Sequence, residues 1–372
     1  MSPPAVWRPG DDPGRRRFVT LFDERPHALE AGGHLESVDV AFETWGELAP
    51  DRSNAVLVVH ALTGDSHAAG AAGPAHPQPG WWDALIGPGR ALDTSRYFVV
   101  CPNVLGGCQG TTGPASLAAD GEPYGSRFPT ITIRDQVVAE AALADQLGIE
   151  RWHAVVGGSM GGMRVLEWAV GFPGRVERAV VISVGAKATA EEIAWCAMQI
   201  RAIRDDPRWR GGDYYNAAEG GPDVGLSIAR GIGQISYRSE LEFDQRFGRD
   251  HQGDEDPLAG GRYAVESYLE YHGAKLVGRF DANSYIVLSQ AMNHHDVGRG
   301  RGGVPAALAR VSAEVTLAGI SSDRLYPLRL QHELAELVPT AVDVEVIDSI
   351  HGHDGFLVET DAVGKVVGRA LS

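Results

Sequence analysis

The sequence predicts an α/β fold in which helices cover both faces of a mostly parallel β-sheet. Short apolar segments typical of buried strands alternate with helical segments over much of the chain. A glycine-rich segment around Ser159 joins one such strand directly to a helix, and a long middle part has helical patterns without a clear strand. These three observations predict one α/β core interrupted by a helical insertion.

Seven segments have the length and the apolar, β-branched composition of buried strands, namely residues 39–45, 55–60, 97–101, 153–156, 179–183, 314–320 and 342–347. Helical patterns separate several of them, at residues 133–147, 163–170 and 328–337. Strands that alternate with helices form parallel sheets, and ligands bind at the carboxyl ends of such strands. We therefore expect the functional residues in the loops that follow the strands.

The middle of the chain, from about residue 185 to residue 304, lacks this alternation. Helical patterns recur there at residues 190–203, 222–234, 264–276 and 283–292. Because the strand pattern resumes afterwards, a lid inserted over the sheet is favoured over a second independent domain. The sequence thus predicts a first core part (1–185), a helical lid (186–304) and a second core part (305–372).

Composition and charge exclude several classes of partner. The 372 residues are 44% hydrophobic, enough for a large core with a lid, and their formal net charge is −16. Such a surface repels nucleic acid and anionic membranes, and no apolar segment approaches the roughly 18 residues that span a bilayer. The amino terminus lacks a signal-peptide pattern, and the three cysteines give neither a disulfide framework nor a zinc-ligand spacing. We expect a soluble, cytoplasmic protein without a metal site.

Ser159 is the candidate nucleophile. It lies in the segment GGSMGG (157–162), between the apolar run 153–156 and a helix. A serine on a sharp strand-to-helix turn needs small neighbours, and its hydroxyl is then exposed above the sheet. Because Gly-x-Ser-x-Gly is weak evidence alone, a structural glycine-rich turn is the alternative; the flanking strand and helix favour the nucleophile.

A serine nucleophile needs a base and a third group that orients the base. In α/β hydrolases these groups follow the serine in the order Asp or Glu, then His. Asp323 comes just after the strand at 314–320, and its alternative role is that of a solvated turn residue. His353, in the loop after the next strand, is the predicted base, and His351 is the competing choice.

An oxyanion hole requires two backbone N–H groups that point to the position where negative charge develops. One should come from Met160, the residue after the nucleophile. The other should come from the loop after the strand at 55–60, where Leu62 is the favoured donor.

Six longer segments extend the pattern beyond the serine motif. They are VHALTG (59–64), PNVLGGCQGTTGP (102–114), GGSMGGMRVLEW (157–168), ARGIGQISYRS (229–239), FDANSY (280–285) and GHDGFL (352–357). Together they resemble the homoserine O-acetyltransferases, a family of the α/β-hydrolase superfamily. The resemblance runs from the first core strand to the last helix and is far more specific than the serine motif.

The resemblance implies a ping-pong transfer of an acetyl group from acetyl-CoA, through Ser159, to the side-chain hydroxyl of L-homoserine. The product, O-acetylhomoserine, feeds methionine synthesis, and no bound cofactor is implied. Homoserine is a zwitterion, so its pocket needs a cation and an anion. Arg230 matches the family's carboxylate-binding arginine, Asp354 matches its ammonium partner, and Tyr237 lines the same pocket. Family members are cytoplasmic homodimers, with the lid contributing to the dimer contact.

Other functions are compatible with the same fold. Water as the acceptor would make the chain an esterase or another hydrolase, but a pocket for neutral esters would desolvate Arg230 and Asp354 without benefit. A succinyl donor or a serine acceptor within the same family is not distinguished by any residue. A binding protein without catalysis is disfavoured by the intact set of Ser159, Asp323 and His353.

Overall fold

An eight-stranded sheet passes through the centre of the molecule, in the strand order β1-β4-β6-β5-β7-β8-β9-β10. The computed structural model describes residues 6–372. Its strands are β1 (Arg17–Leu21), β2 (His27–Ala28), β3 (His34–Leu35), β4 (Val38–Trp45), β5 (Ala55–Val59), β6 (Phe98–Pro102), β7 (Trp152–Gly158), β8 (Val176–Ile182), β9 (Glu314–Ile320) and β10 (Val344–Ile347).

The helices follow the predicted alternation and then cluster between β8 and β9. They are α1 (Ile133–Gln146), α2 (Met160–Gly171), α3 (Ala190–Arg204), α4 (Asp223–Tyr237), α5 (Glu240–Arg246), α6 (Ala264–Val277), α7 (Ala282–Asn293), α8 (Val304–Leu308), α9 (Arg329–Leu337), α10 (Gly355–Val358) and α11 (Thr360–Leu371). Among residues 6–372, no helix is long and apolar enough to cross a membrane.

The predicted fold class is confirmed, because β6, β5, β7, β8, β9 and β10 pair in parallel. Two strands at one side of the sheet depart from this pattern, since β4 runs antiparallel to β6 and β1 runs antiparallel to β4. The strand β1 was not predicted. Its side chains are mostly exposed or half-buried, so the segment lacks the apolar run of a central strand.

The central strands are buried on both faces, which explains their continuous apolar sequences. Leu57, Val155 and Val181 contribute to a core on the face that α1 and α2 cover. The adjacent residues along the same strands, such as Val56 and Val180, contribute to a second core that includes residues of α11. Successive side chains of a strand alternate between faces, so both cores draw on the same strands.

The strand register places the carboxyl ends of the parallel strands at one edge of the sheet. Val59 of β5 pairs with Gly157 of β7, and Gly158 pairs with Ile182 of β8. Ile320 at the end of β9 pairs with Ile347 at the end of β10. The loops after β5, β7, β9 and β10 therefore begin close to one another, as predicted for the functional residues.

Helices α3 to α8 lie between β8 and β9. The helices predicted at 190–203, 222–234, 264–276 and 283–292 are present as α3, α4, α6 and α7. Helix α5 was not predicted. It has only seven residues, and it begins after Ser239, whose hydroxyl accepts a hydrogen bond from the backbone N–H of Glu242.

Candidate active site

Ser159 forms the turn between β7 and α2. Its φ of 58° and ψ of −129° lie in a region that residues other than glycine rarely adopt. Two backbone hydrogen bonds hold it there, from Ser159 N–H to the carbonyl oxygen of Ile182 and from Met163 N–H to the carbonyl oxygen of Ser159, both 3.0 Å long. The conformation is that of a nucleophile elbow.

The glycines around Ser159 let the turn pass close to β5. A Cβ atom at Gly161 would collide with the carbonyl oxygen of Val59, and one at Gly157 would lie 2.7 Å from Val59 Cγ2. A Cβ atom at Gly158 would lie 2.7 Å from the ring of Phe356. Helix α2 starts at Met160, three residues before the predicted start, so Gly161 and Gly162 belong to its first turn.

Asp323 lies in the loop after β9, and the fold brings it to His353. Its Oδ2 is 2.7 Å from His353 Nδ1. Its Oδ1 accepts hydrogen bonds from the backbone N–H groups of Leu325 and Tyr326, both at 2.9 Å. The carboxylate is thus fixed by its own loop and has one oxygen left to orient the histidine.

His353 is only 3% exposed, and its Nε2 has no hydrogen-bond partner among the described residues. Burial alone would lower the pKa of His353, but the Asp323 carboxylate, with further contributions from Asp354 and Glu192, raises it above its ordinary value. The bond to Asp323 assigns the proton to Nδ1, which leaves Nε2 as the basic nitrogen.

His351 is directed elsewhere. Its Nδ1 is 3.3 Å from Glu242 and its Nε2 is 3.9 Å from Glu359, and it makes no contact with Asp323. Gly352 separates the two histidines with a φ of 62°, and a Cβ atom there would lie 2.7 Å from the backbone of Ser239. The glycine therefore allows the turn that carries His353 to pack against the end of α4.

The two predicted oxyanion donors are buried next to the nucleophile turn. Leu62 lies in the loop of residues 60–65, which we call the oxyanion loop, and Met160 starts α2. Within the described residues, neither backbone N–H group donates to a protein acceptor. Buried N–H groups are nearly always paired in proteins, so two open ones beside a strained serine are suited to bind an anion.

A buried network holds the start of the oxyanion loop. Arg164, fully buried in α2, donates to the carbonyl oxygen of His60 and forms an ion pair with Glu140 at 2.6 Å. The His60 Nε2 accepts a hydrogen bond of 3.0 Å from the backbone N–H of Val104. Burial and the charge of Arg164 lower the pKa of His60 to about 3, so this imidazole is neutral.

The residues predicted for homoserine binding form a row towards His353. The guanidinium of Arg230 lies 5.5 Å from the centre of the Tyr237 ring, and that ring lies 6.0 Å from the His353 ring. Asp354 follows His353 directly and is partly buried. Arg230 and Asp354 thus border the candidate site through neighbours of the histidine.

Sequence reasoning missed Arg238, which contacts Asp354. Its Nε is 3.1 Å from Asp354 Oδ2, and its guanidinium also pairs with Glu242 at 3.0 Å. One Asp354 oxygen is therefore neutralised by the protein itself. No signal in the sequence could reveal this pairing, because more than one hundred residues separate the two partners.

Two further residues near the histidine were also missed. The ring of Tyr326 lies 4.9 Å from the His353 ring. Glu192 is buried in the first turn of α3, where one carboxylate oxygen accepts from the Thr189 N–H and the other has no partner among residues 6–372. Burial raises the pKa of Glu192 to about 7. The pattern Thr-x-x-Glu at 189–192 indicated a helix start but not this location.

A buried cluster of Glu43, His67 and His76 was likewise not predicted. One potential metal-binding atom from each residue lies within 4.8 Å of the others. His67 Nδ1 is 3.0 Å from the Glu43 carboxylate, and His76 Nε2 accepts a hydrogen bond of 3.1 Å from the backbone N–H of Arg15. These contacts join the three residues in a hydrogen-bonded network that leaves His67 Nε2 without a partner among the described residues.

The sequence and the fold of this chain match those of known proteins. A model of the alpha/beta hydrolase fold matches residues 54–360. The chain is 60% identical over 367 residues to a homoserine O-acetyltransferase of Thermobifida fusca (strain YX), which covers 99% of this chain and 96% of that relative. The chain belongs to the homoserine O-acetyltransferase family. The resemblance inferred from the six sequence segments is thereby confirmed.

Solved structures of two kinds of enzyme, a homoserine O-acetyltransferase and an esterase, match this chain about equally well. The homoserine O-acetyltransferase from Bacillus anthracis has a TM-score of 0.87 and 30% identity, and the alignment covers 96% of this chain and 97% of that one. Esterase E22 has a TM-score of 0.86 and 28% identity, with 96% and 99% covered. Backbone similarity alone therefore does not distinguish a transferase from an esterase.

Proposed function

We propose that this protein transfers the acetyl group of acetyl-CoA to the side-chain hydroxyl of L-homoserine, giving O-acetyl-L-homoserine and CoA. The observation that carries the proposal is the 60% identity to a homoserine O-acetyltransferase over 99% of the chain. Acetyl-CoA is then a co-substrate, and the chemistry needs no resident cofactor. The product is an intermediate of methionine synthesis.

In the first half-reaction, Ser159 Oγ attacks the thioester carbonyl carbon while His353 Nε2 takes the hydroxyl proton. The carbonyl oxygen becomes negative and binds the N–H groups of Leu62 and Met160. When the carbon–sulfur bond breaks, the CoA sulfur leaves with the proton from His353. Asp323 keeps the imidazole in one tautomer and stabilises its positive charge, which agrees with the 2.7 Å contact between them.

In the second half-reaction, His353 removes the proton from the homoserine hydroxyl, and that oxygen attacks the acetyl carbon on Ser159. The ester bond to Ser159 breaks, and its oxygen regains the proton from His353. Arg230 binds the homoserine carboxylate, and the free oxygen of Asp354 binds its ammonium group. Tyr237 lies between Arg230 and His353 and shields the acceptor from water.

We place the protein in the cytoplasm, where acetyl-CoA is available, as a homodimer. Large apolar side chains are exposed on helices α3, α4 and α5. Those that are at least 40% exposed are Ile193, Met198, Val224, Ile228 and Leu241. Val224, Ile228 and Ile235 repeat at the spacing of one face of α4. Clustered exposed apolar side chains are typical of a protein–protein interface.

Thiol release from acetyl-CoA, measured with and without L-homoserine, tests the proposed activity. Succinyl-CoA and L-serine serve as parallel substrates. Fast release that requires both acetyl-CoA and homoserine is the expected result. Equal release without any amino acid would make water the acceptor and establish an esterase, the activity of structural relatives such as esterase E22.

Arg230→Ala tests the acceptor site separately. We expect the KM for homoserine to rise by about tenfold or more, because a bidentate charged contact is lost, while acetylation of Ser159 by acetyl-CoA keeps its rate. Arg310→Ala, an exposed arginine after α8, is the matched control. An unchanged KM for homoserine in Arg230→Ala would contradict the assignment of its carboxylate to Arg230.

A further inference from the structure

A cavity of about 350 Å³ adjoins the reaction centre on the side of the oxyanion loop. Thr63 and Gly64 of that loop form part of its wall, and the helical segment contributes Arg230, Lys275 and Arg279. The side chains of the proposed triad do not line it. A molecule that reacts at Ser159 can therefore extend past the oxyanion loop into a space whose wall holds both cations and carboxylates.

Among the described residues, four cations line the cavity; Arg16 donates to Gln109 Oε1 at 3.0 Å, and the three from the helical segment lack acidic partners. Arg230 stacks on the Tyr237 ring, and Arg279 donates to the carbonyl oxygen of Thr63 at 2.8 Å. Within residues 6–372, none of Arg230, Lys275 and Arg279 forms an ion pair with a carboxylate. In a protein with a formal net charge of −16, three unpaired cations around one cavity require an explanation.

The cations also act on one another. Burial, followed by the charges of Arg279 and Arg230, lowers the pKa of Lys275. Burial and then the charge of Arg230 lower the pKa of the adjacent His272 to about 4, so this imidazole is neutral. A bound anion would relieve the repulsion between these groups.

The acidic residues that also border the cavity are held by their own turns. Asp65 accepts a hydrogen bond of 2.8 Å from the backbone N–H of His67, and Asp11 and Asp12 accept from the backbone N–H groups of Arg8 and Gly14. Each of these carboxylates is thus held by a backbone donor, and none forms an ion pair with the three cations, although the charge of Asp65 acts on Arg279.

An open polar atom lies in the same wall. His67 is 4% exposed, and its Nε2 is buried without a partner among the described residues, whereas its Nδ1 is 3.0 Å from Glu43. Buried polar atoms without a partner are rare and indicate a missing ligand or water. The wall of the cavity thus contains unpaired cations and, in His67, a buried imidazole nitrogen without a partner among the described residues.

We propose that Lys275 and Arg279 bind a phosphate group of the acyl-CoA donor whose thioester reacts at Ser159. The inference rests on the proposed function, which assigns the charges of homoserine to Arg230 and Asp354. The phosphates of CoA are then the remaining anions of the two substrates. An ammonium and a guanidinium group are the usual protein partners of phosphate.

Lys275→Met tests this subsite, because Arg279 also holds the oxyanion loop and its loss would change catalysis directly. Lys365→Met, an exposed lysine on α11, is the matched control. Binding of CoA is measured by calorimetry, which needs no turnover. We expect CoA to bind about tenfold or more weakly to Lys275→Met, as for a lost charged hydrogen bond, and normally to Lys365→Met.

Kinetics with two donors identifies the group that is bound. The KM for acetyl-CoA should rise in Lys275→Met, whereas the KM for acetyl-pantetheine, which lacks the nucleotide phosphates, and the KM for homoserine should stay the same. Acetyl-dephospho-CoA, which lacks the 3′-phosphate, then identifies the phosphate that is bound. If Lys275→Met no longer raises the KM for this donor, Lys275 binds the 3′-phosphate. If Lys275→Met still raises that KM, Lys275 binds the diphosphate.

The proposal is overturned if CoA binds equally to wild type and Lys275→Met, if both donors lose affinity equally, or if the KM for homoserine rises instead. Failure of the proposed function has a different signature. In that case homoserine does not stimulate thiol release, yet CoA binding still depends on Lys275.

Discussion

Ser159 is held in a backbone conformation that costs about 1–3 kcal/mol in a residue other than glycine, and the surrounding fold maintains it. We predict that Ser159→Ala lowers kcat by about 10⁴-fold or more, since the nucleophile is lost while the fold is kept. Thiol release measures activity, mass spectrometry after incubation with acetyl-CoA measures acylation, and thermal unfolding measures stability.

Ser183→Ala is a matched control for this experiment. Ser183 is also buried with a positive φ, 48°, but it directly follows the neighbouring strand β8. We expect it to leave acylation intact. Acetylated protein in the Ser159→Ala sample would remove Ser159 as the nucleophile.

We expect the pH dependence of the reaction to follow from His353, the proposed base. The pKa of His353 is raised above its ordinary value of about 6.5, and only the neutral imidazole accepts the serine proton. Activity should therefore decline as the pH falls, with the midpoint of kcat/KM for acetyl-CoA above pH 6.5. A midpoint clearly below pH 6.5 would contradict this assignment.

Asp323→Asn removes the charge that raises the pKa of His353. Burial then dominates, so the pKa of His353 should fall below its ordinary value, which NMR titration of the imidazole detects. We expect kcat to fall by about 10⁴-fold, as when the orienting carboxylate of a serine triad is lost. The raised pKa of His353 also affects the stability of the wild-type protein. It stabilises the fold at low pH, and this contribution is lost as the pH rises through the pKa of His353 in the folded state.

Among the structural elements, the contact between the lid and the turn after β10 depends on Arg238. This residue ends α4, pairs with Asp354 beside His353, and pairs with Glu242 of α5. All three side chains are mostly buried. We predict that Arg238→Met lowers the free energy of unfolding by about 3 kcal/mol, because the carboxylate of Asp354 loses its partner and that of Glu242 loses its nearest one, and that it raises the KM for homoserine.

Arg246→Met is the control for this prediction. Arg246 contacts the same Glu242 at 3.8 Å but is half-exposed and does not pair with Asp354. Its loss should cost less than about 1 kcal/mol and leave the KM for homoserine unchanged. Equal effects of the two variants would mean that the contact between Arg238 and Asp354 contributes neither to the free energy of unfolding nor to homoserine binding.

These elements differ in how far the sequence could predict them. Ser159 and Asp323 follow strongly apolar strands and His353 follows the short strand β10, so the alternation of strands in one parallel sheet sufficed to predict that the three residues meet. Arg238 and Glu192 were missed because their roles depend on how lid helices pack on the core, and helical periodicity does not encode that packing. The strand β1 was missed because half-exposed antiparallel strands have weaker apolar patterns.

For the whole molecule, the exposed face of α4 leads to the last prediction. Val224 and Ile228 are 64% and 52% exposed in the single chain, although burying each would contribute about 1 kcal/mol or more. A second copy of the chain that packs on this face would bury them. We predict that Ile228→Asp shifts the protein from dimer to monomer, because a dimer would bury the new charge without a partner.

Sedimentation velocity across a range of protein concentrations measures this shift. Val342→Asp is the control, since Val342 is also highly exposed, at 87%, but precedes β10 outside the lid. A wild-type protein that sediments as a monomer at all concentrations would contradict the proposed dimer. Because α4 also carries Arg230 and Tyr237, the KM for homoserine should rise in the monomeric variant if the interface supports the orientation of this helix.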